Sequence, residues 1–186
     1  MKIPKQAKKV FSGVIFDVYH WQQKMYDGSL TTFEMIKRPG AVRIIAVQGN
    51  KIILNNEKQP GIKRTLGTFG GRMDKPGETP LQCAKRELLE ESGLESKDWE
   101  LINTSELYPE KMDFTVYLYV ARNCQKTQKP NLDRGEKIKT IAVSFEKFIK
   151  IILDKKSLTN KGFALEVAQM VIDKKLDKFK NKLFKK

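Results

Sequence analysis

From Arg86 the chain reads Arg-Glu-Leu-Leu-Glu-Glu-Ser-Gly. At about 100° per helical residue, Glu87, Glu90 and Glu91 share one stripe of a helix while Leu81, Ala84 and Leu88 share another. Carboxylates so close repel and raise each other's pKa, so the arrangement gains nothing unless a cation is supplied. A hard divalent ion suits it: Mg²⁺ prefers oxygen donors, keeps several waters, and is held by one or two carboxylates together with substrate phosphates. Arg86, one residue before Glu87 and four before Glu90, is spaced to orient them by charged hydrogen bonds. Upstream, the segment from Gly70 to Glu78 supplies glycines for tight turns, where backbone carbonyls or amides can face a metal or a phosphate. The alternative is an acidic solvated helix face laced by i,i+4 Arg–Glu pairs.

These residues need a scaffold, and the pattern supplies one. The helix is predicted over Pro80 to Ser92, with Gly93 as its stop. Before it, Val10 to Tyr19 reads as one strand. Asp27-Gly28-Ser29 is a turn, and Leu30 to Ile36 a second strand, which makes an antiparallel N-terminal meander. Val42 to Val47 and Lys51 to Leu54 flank Gly49-Asn50 as a hairpin. Gln59-Pro60-Gly61 is a loop, and Thr65 to Gly71 a short strand entering the glycine pair. After the helix, Trp99 to Ile102, Phe114 to Val120 and Ile138 to Val143 read as strands, the second apolar enough to lie centrally. Asn123 to Gly135 is a polar loop. Ser144 is an N-cap for a helix through Leu153, and Gly162 precedes a long amphipathic helix that frays into a lysine tail. Strands first, a helix between sheet segments and helices at the end predict a mixed α/β layer fold.

Composition excludes several classes. No stretch approaches the ~20 consecutive apolar residues of a membrane-spanning helix. The basic start lacks the apolar centre of a signal peptide, and the chain is read as cytoplasmic. Two cysteines and one histidine cannot assemble a four-ligand Cys/His zinc site. The net charge of +14 suggests polyanionic partners, but residues 1–9 carry +4 and residues 173–186 carry +5, so most of the excess is terminal. Lysine without interleaved aromatics reads as a solvated surface, leaving RNA association as the weaker alternative.

From Glu78 onward the chain resembles the Nudix hydrolases: seven residues, then Arg86-Glu87-Leu88, Leu89, Glu90-Glu91, Ser92, Gly93-Leu94 reproduce the family's box. Six residues, instead of five, separate Gly71 from Glu78, a one-residue insertion in the loop. The resemblance implies an α/β/α sandwich with a mixed sheet. It places one Nudix domain over residues 10–172, with the meander at 10–38, between a basic tail at 1–9 and a lysine-rich end at 173–186. It implies a Mg²⁺-dependent pyrophosphohydrolase, with Mn²⁺ as a substitute. Glu87 and Glu91 would ligate metal, Glu90 would help as ligand or through the water shell, and a Gly70 or Gly71 carbonyl would complete the cage. Arg86 would hold the glutamates, and Glu78 would order the loop by accepting backbone N–H bonds. Glu136, with Asp133 as second candidate, or a box glutamate would act as base; the alternative for Glu136 is pairing with Arg134 or Lys137. Lys58, Arg43 and Arg64 are candidates for the phosphates, Lys58 first, together with Arg72.

The N-terminal meander, the stretch from Phe33 to Val42 and Glu57-Lys58-Gln59-Pro60 resemble the ADP-ribose pyrophosphatase and nucleoside-diphosphate-sugar branch. That implies a nucleoside-diphosphate-linked substrate, cleaved to a nucleoside monophosphate and a sugar phosphate, and a homodimer through the N-terminal strands. Sanitation of nucleoside triphosphates, dinucleoside polyphosphate cleavage and a non-enzymatic RNA-associated or ligand-sensing module are the alternatives. His20 reads as a surface or interface residue. Tyr19, Trp21 and Phe69 read as core or interface aromatics, with stacking on an adenine as the alternative.

Overall fold

The computed structural model describes residues 2–154 and 161–185, with the backbone alone at residues 62–65 and 161. It opens with β1 (Lys8–Ser12), β2 (Asp17–Lys24) and β3 (Leu30–Lys37), paired antiparallel in chain order. The segment from Val10 to Tyr19 is therefore two strands and not one. Gly13 turns the chain, its N–H donating to the Phe16 carbonyl at 2.8 Å, and a side chain there would strike the Phe11 ring. Trp21 is buried against Phe33, edge to face, and the half-exposed His20 lies on Glu34 at 2.7 Å.

The chain then runs through β4 (Ala41–Gln48), β5 (Lys51–Gln59), β6 (Ile62–Gly67), α1 (Pro80–Ser92), β7 (Leu94–Glu95) and β8 (Asp98–Glu106). It continues with β9 (Met112–Asp113), β10 (Thr115–Arg122), β11 (Gln125–Lys126), β12 (Lys137–Val143), α2 (Phe145–Leu153), α3 (Lys161–Ile172) and α4 (Leu176–Leu183). The central sheet has the order β12-β5-β4-β10-β8, with β6 on the outer half of β5. β4 and β10 run parallel and their other neighbours antiparallel, so the sheet is mixed. The two-residue β9 joins β3 in parallel and extends the N-terminal sheet beyond a pure meander.

Strand alternation sorts the core into two layers. Val42, Ile44 and Ala46 of β4, with Tyr119 and Ala121 of β10, pack under Ala84 and Leu88 of α1. Ile45 and Val47, with Leu118 and Val120, pack on the other face under α2, α3 and α4. One sheet between two helical layers is the sandwich expected from the order of elements. Phe69 is fully buried in the α1 layer, so it is a core residue.

Two local expectations change. The strand before the glycine pair spans Ile62–Gly67 and then hands over to an antiparallel ladder on β4, with bridges Ile44↔Phe69 and Ala41↔Arg72. The predicted long C-terminal helix is two helices. Lys174 takes a left-handed φ of 56°, and the Lys175 N–H returns to the Met170 carbonyl at 2.8 Å. The break lets α4 fold back and bury Phe179 and Leu183 beside Phe145, so that stretch of the lysine-rich end is anchored in the core. No helix among the described residues is long and apolar enough to cross a membrane.

Candidate active site

Local chemistry sets α1. Thr79 caps its N-terminus in a reciprocal box with Gln82, Pro80 opens it, and Gly93 closes it at φ 67° with its N–H on the Leu89 carbonyl at 2.7 Å. Cys83, Ala84 and Leu88 bury the apolar side of the helix. Burial, aided by the negative charges of Glu78 and Glu87, pushes the Cys83 thiol up to about 12, which keeps it protonated and excludes it as a nucleophile at neutral pH.

With that face pinned, Glu87 and Glu91 turn to the glycine pair. A side chain at Gly71 would have to occupy the place of the Glu87 carboxylate, so only glycine fits there. The Gly70 N–H donates to Glu91 Oε2 at 3.1 Å. Gly70 itself has a φ of 142°, and a Cβ there would collide with the Val42 carbonyl. The Gly71 carbonyl accepts from the Val42 N–H at 2.9 Å, and the Gly70 carbonyl from Arg43 Nη1 at 3.3 Å.

Arg86 is the hub. Its Nε and Nη2 grip both oxygens of Glu78 at 2.9 and 3.0 Å, and its Nη1 reaches Glu87 and Glu90 at 2.8 and 2.9 Å. This corrects the role expected of Glu78. Its carboxylate is the two-pronged partner of Arg86, and Thr79 caps the backbone. Hydrogen bonding from Arg86 holds Glu78 below the usual carboxylate range. Glu87 goes the other way, because burial outweighs the attraction of Arg86. Glu91 is 7% exposed, and burial pushes it up to about 9, against the stabilising Gly70 N–H and with Glu87, Glu57 and Glu136 adding repulsion. Glu90 is half-exposed and also faces Lys75 at 3.7 Å.

Glu136 follows the polar loop, its N–H on the Asp133 carbonyl at 3.1 Å and its side chain on Gln59 at 3.3 Å. Its pKa is raised by burial and by Glu57 and Asp133; among the described residues it has no partner in Arg134 or Lys137. Glu57, whose charge acts on both Glu91 and Glu136, belongs to no motif in the sequence. Alternation along β5 places Ile53, Asn55 and Glu57 on the α1 face, and that pattern was the available signal. Lys58 leaves β5 on the opposite face, exposed and opposite Lys137 in register. Arg72 pairs with Asp74 at 3.2 Å. The Arg64 side chain lies outside the described residues.

The donor set fits a hard divalent cation. It is all oxygen and partly desolvated; the charges of Glu87, Glu57 and Glu136 oppose ionisation of Glu91, and that of Glu57 opposes ionisation of Glu136. As the side chains stand, no three candidate ligands among the described residues meet at one point. Arg86 draws Glu87 and Glu90 while Gly70 draws Glu91.

Comparison with known proteins places this arrangement. The chain is 28% identical over 167 residues to the ADP-ribose pyrophosphatase of Bacillus subtilis (strain 168), covering 88% of this chain and 90% of that one. It is 26% identical over 159 residues to the methanol dehydrogenase activator of Bacillus methanolicus, covering 84% and 85%. The ADP-ribose pyrophosphatase of Mycobacterium tuberculosis (strain ATCC 25618 / H37Rv) is 28% identical over 138 residues, covering 70% and 64%. A solved structure described as an ADP compounds hydrolase shares the fold, with a TM-score of 0.71 at 20% identity over 91% of this chain and 92% of that one. The NUDIX domain matches residues 37–162, a span that includes the acidic helix, its glycine loop and Glu136. A match of that extent over those residues means that the chain belongs to the Nudix family.

Proposed function

We propose that this protein hydrolyses the phosphoanhydride of ADP-ribose or a related nucleoside diphosphate sugar, releasing a nucleoside monophosphate and a sugar phosphate. The observation that carries the reading is the buried surplus of carboxylates around Gly70 and Gly71, which matches a cation-assisted reaction at a polyanion. The names of two relatives, both ADP-ribose pyrophosphatases, support the choice of substrate.

Glu87 and Glu91 are the residues that would hold Mg²⁺, or Mn²⁺ in its place, with Glu90 acting through the water shell and a Gly70 or Gly71 carbonyl as a further donor. The chemistry supplied there is neutralisation of the pyrophosphate and a more acidic attacking water. Arg86 keeps Glu87 and Glu90 in place, and its pairing with Glu78 fixes the guanidinium. Glu136, raised by burial and like-charged neighbours, accepts the proton of the attacking water. Gln59, bonded to Glu57 and Glu136 together, orients that carboxylate.

The enzyme acts as a cytoplasmic homodimer in this reading. Val10, Phe11, Val14 and Leu30 are exposed on the N-terminal sheet and its turns, which supports pairing through that region. Light scattering on the full chain is expected to give twice the mass of 21.5 kDa. The function is tested by incubating the protein with ADP-ribose, UDP-glucose, GDP-mannose, 8-oxo-dGTP and diadenosine polyphosphates, with Mg²⁺ and with chelator. Chelator-sensitive release of a nucleoside monophosphate from ADP-ribose or a nucleotide sugar is the expected result. Hydrolysis confined to the triphosphate or the dinucleotides would overturn it.

A further inference from the structure

On the face of the sheet turned away from α1, three guanidiniums gather with a single carboxylate partner among the described residues. The ladder between β4 and the glycine segment sets this up. Ala41 opposes Arg72, the Val42 N–H reaches Gly71, and the Met73 N–H reaches Gly40 at 2.9 Å. Directly opposed residues of an antiparallel pair share a face, and so do residues two apart on one strand. Ala41, Arg43 and Arg72 therefore leave on one side, while Val42 faces α1 and the space beside Gly71 is filled by Glu87. Ala41 packs on Phe114, and the Arg38 guanidinium lies over the Phe114 ring, 4.2 Å from its centre. Arg38 thus reaches the same face. Its Nε is buried and has no hydrogen-bond partner among the described residues. The charges of Arg72 and Arg43, after burial, lower its pKa, as expected for neighbours at short range. Only Arg72 of the three has a carboxylate partner among the described residues, and that partner, Asp74, is exposed.

The arginines also meet the acidic site. Arg43 donates to the Gly70 carbonyl while Glu91 accepts from the Gly70 N–H, so the two faces converge on one residue. We propose that Arg38, Arg43 and Arg72 form an anion cradle at Gly70 that takes the phosphoanhydride of the substrate from the side opposite the carboxylates. Planar guanidiniums match phosphate oxygens in pairs, and a buried unpaired Nε is a donor awaiting an acceptor. The cradle rests on the reaction proposed above for its choice of anion.

The test measures binding of inorganic pyrophosphate to the full chain in excess chelator, by calorimetry, beside Mg²⁺-dependent hydrolysis of ADP-ribose. Wild type is expected to bind pyrophosphate with an affinity that falls with salt. R43Q/R72Q is expected to weaken it at least about tenfold, and R72K to retain part of it. With ADP-ribose, the same double variant is expected to raise KM about tenfold with a smaller change in kcat. R38Q removes the stacked member; if it does not fold, R38K and the double variant, whose side chains are only half-buried, carry the test. Pyrophosphate affinity and KM unchanged in R43Q/R72Q would overturn the cradle while leaving the proposed reaction standing. Arginine-dependent pyrophosphate binding with no hydrolysis of any nucleoside diphosphate derivative would do the reverse.

Discussion

Arg86 and Arg122 each gather carboxylates, yet the two networks end in opposite electrical states. Arg122, at the end of β10, is 3% exposed and donates to Asp98, Glu100 and the Lys182 carbonyl, while Lys182 itself pairs with Glu100 at 3.2 Å. Two cations meet two acids, and α4 is stitched to the sheet. Arg86 meets Glu78, Glu87 and Glu90, with Glu91, Glu57 and Glu136 close behind; among the described residues Lys75, on Glu90, is the one further cation in ion-pair contact with these carboxylates. A network that neutralises itself serves the fold. One that keeps a buried surplus stores repulsion that an incoming cation relieves.

The contrast can be broken by substitution. Glu91→Gln is expected to lower kcat on the preferred substrate by about 10³-fold or more with the fold intact, since under the proposed function it removes a charge that acts only once the cation and the pyrophosphate are bound. Near-normal turnover of E91Q would sink the assignment. Glu78→Gln loosens one grip on Arg86 without touching substrate. Its expected loss is smaller, about 10- to 100-fold in kcat, as is usual for residues that orient ligands. Arg122→Ala should reverse the pattern. Turnover per folded molecule stays near wild type, while urea denaturation shows a loss of about 2–3 kcal/mol, less than for a fully enclosed pair because Asp98 and Glu100 can rehydrate.

A pH series sharpens the same comparison at smaller amplitude. Glu91 titrates near 9 in the folded protein and near its ordinary value when unfolded, so the folded state binds the extra proton between those limits. The resulting stabilisation is complete below the unfolded pKa and is lost as pH rises towards 9. In excess chelator, the denaturation midpoint should therefore fall across that window. Added Mg²⁺ or E91Q should flatten the decline. A midpoint that rises with pH in the metal-free protein would contradict the buried surplus.

Much of the helical chemistry was legible because its signals are local. Pro80 to Ser92 is the helix observed, with the Gly93 stop, and Ser144 caps a helix that ends at Leu153. The misread segments lack that locality. Strand-like residues run unbroken from Val10 to Phe11 and again from Val14 to Ile15, so the turn between β1 and β2 rests on how Gly13 and Phe16 close on each other. The split between α3 and α4 depends on Phe179 and Leu183 finding a core pocket 30 residues or more from Phe145, which no helical periodicity announces. Glu78 departs from its expected backbone role because its partner, Arg86, lies eight residues away on the next element.

The residues themselves determined that a capped helix would carry a stripe of repelling carboxylates after a glycine pair, because caps, periodicity and charge spacing act within a few turns of chain. Only the tertiary structure decided which of those carboxylates is buried, that Glu57 and Glu136 join them, and that Arg38, Arg43 and Arg72 assemble behind Gly70. Each of those depends on strand register, which pairs residues far apart in sequence and assigns every side chain to one face or the other.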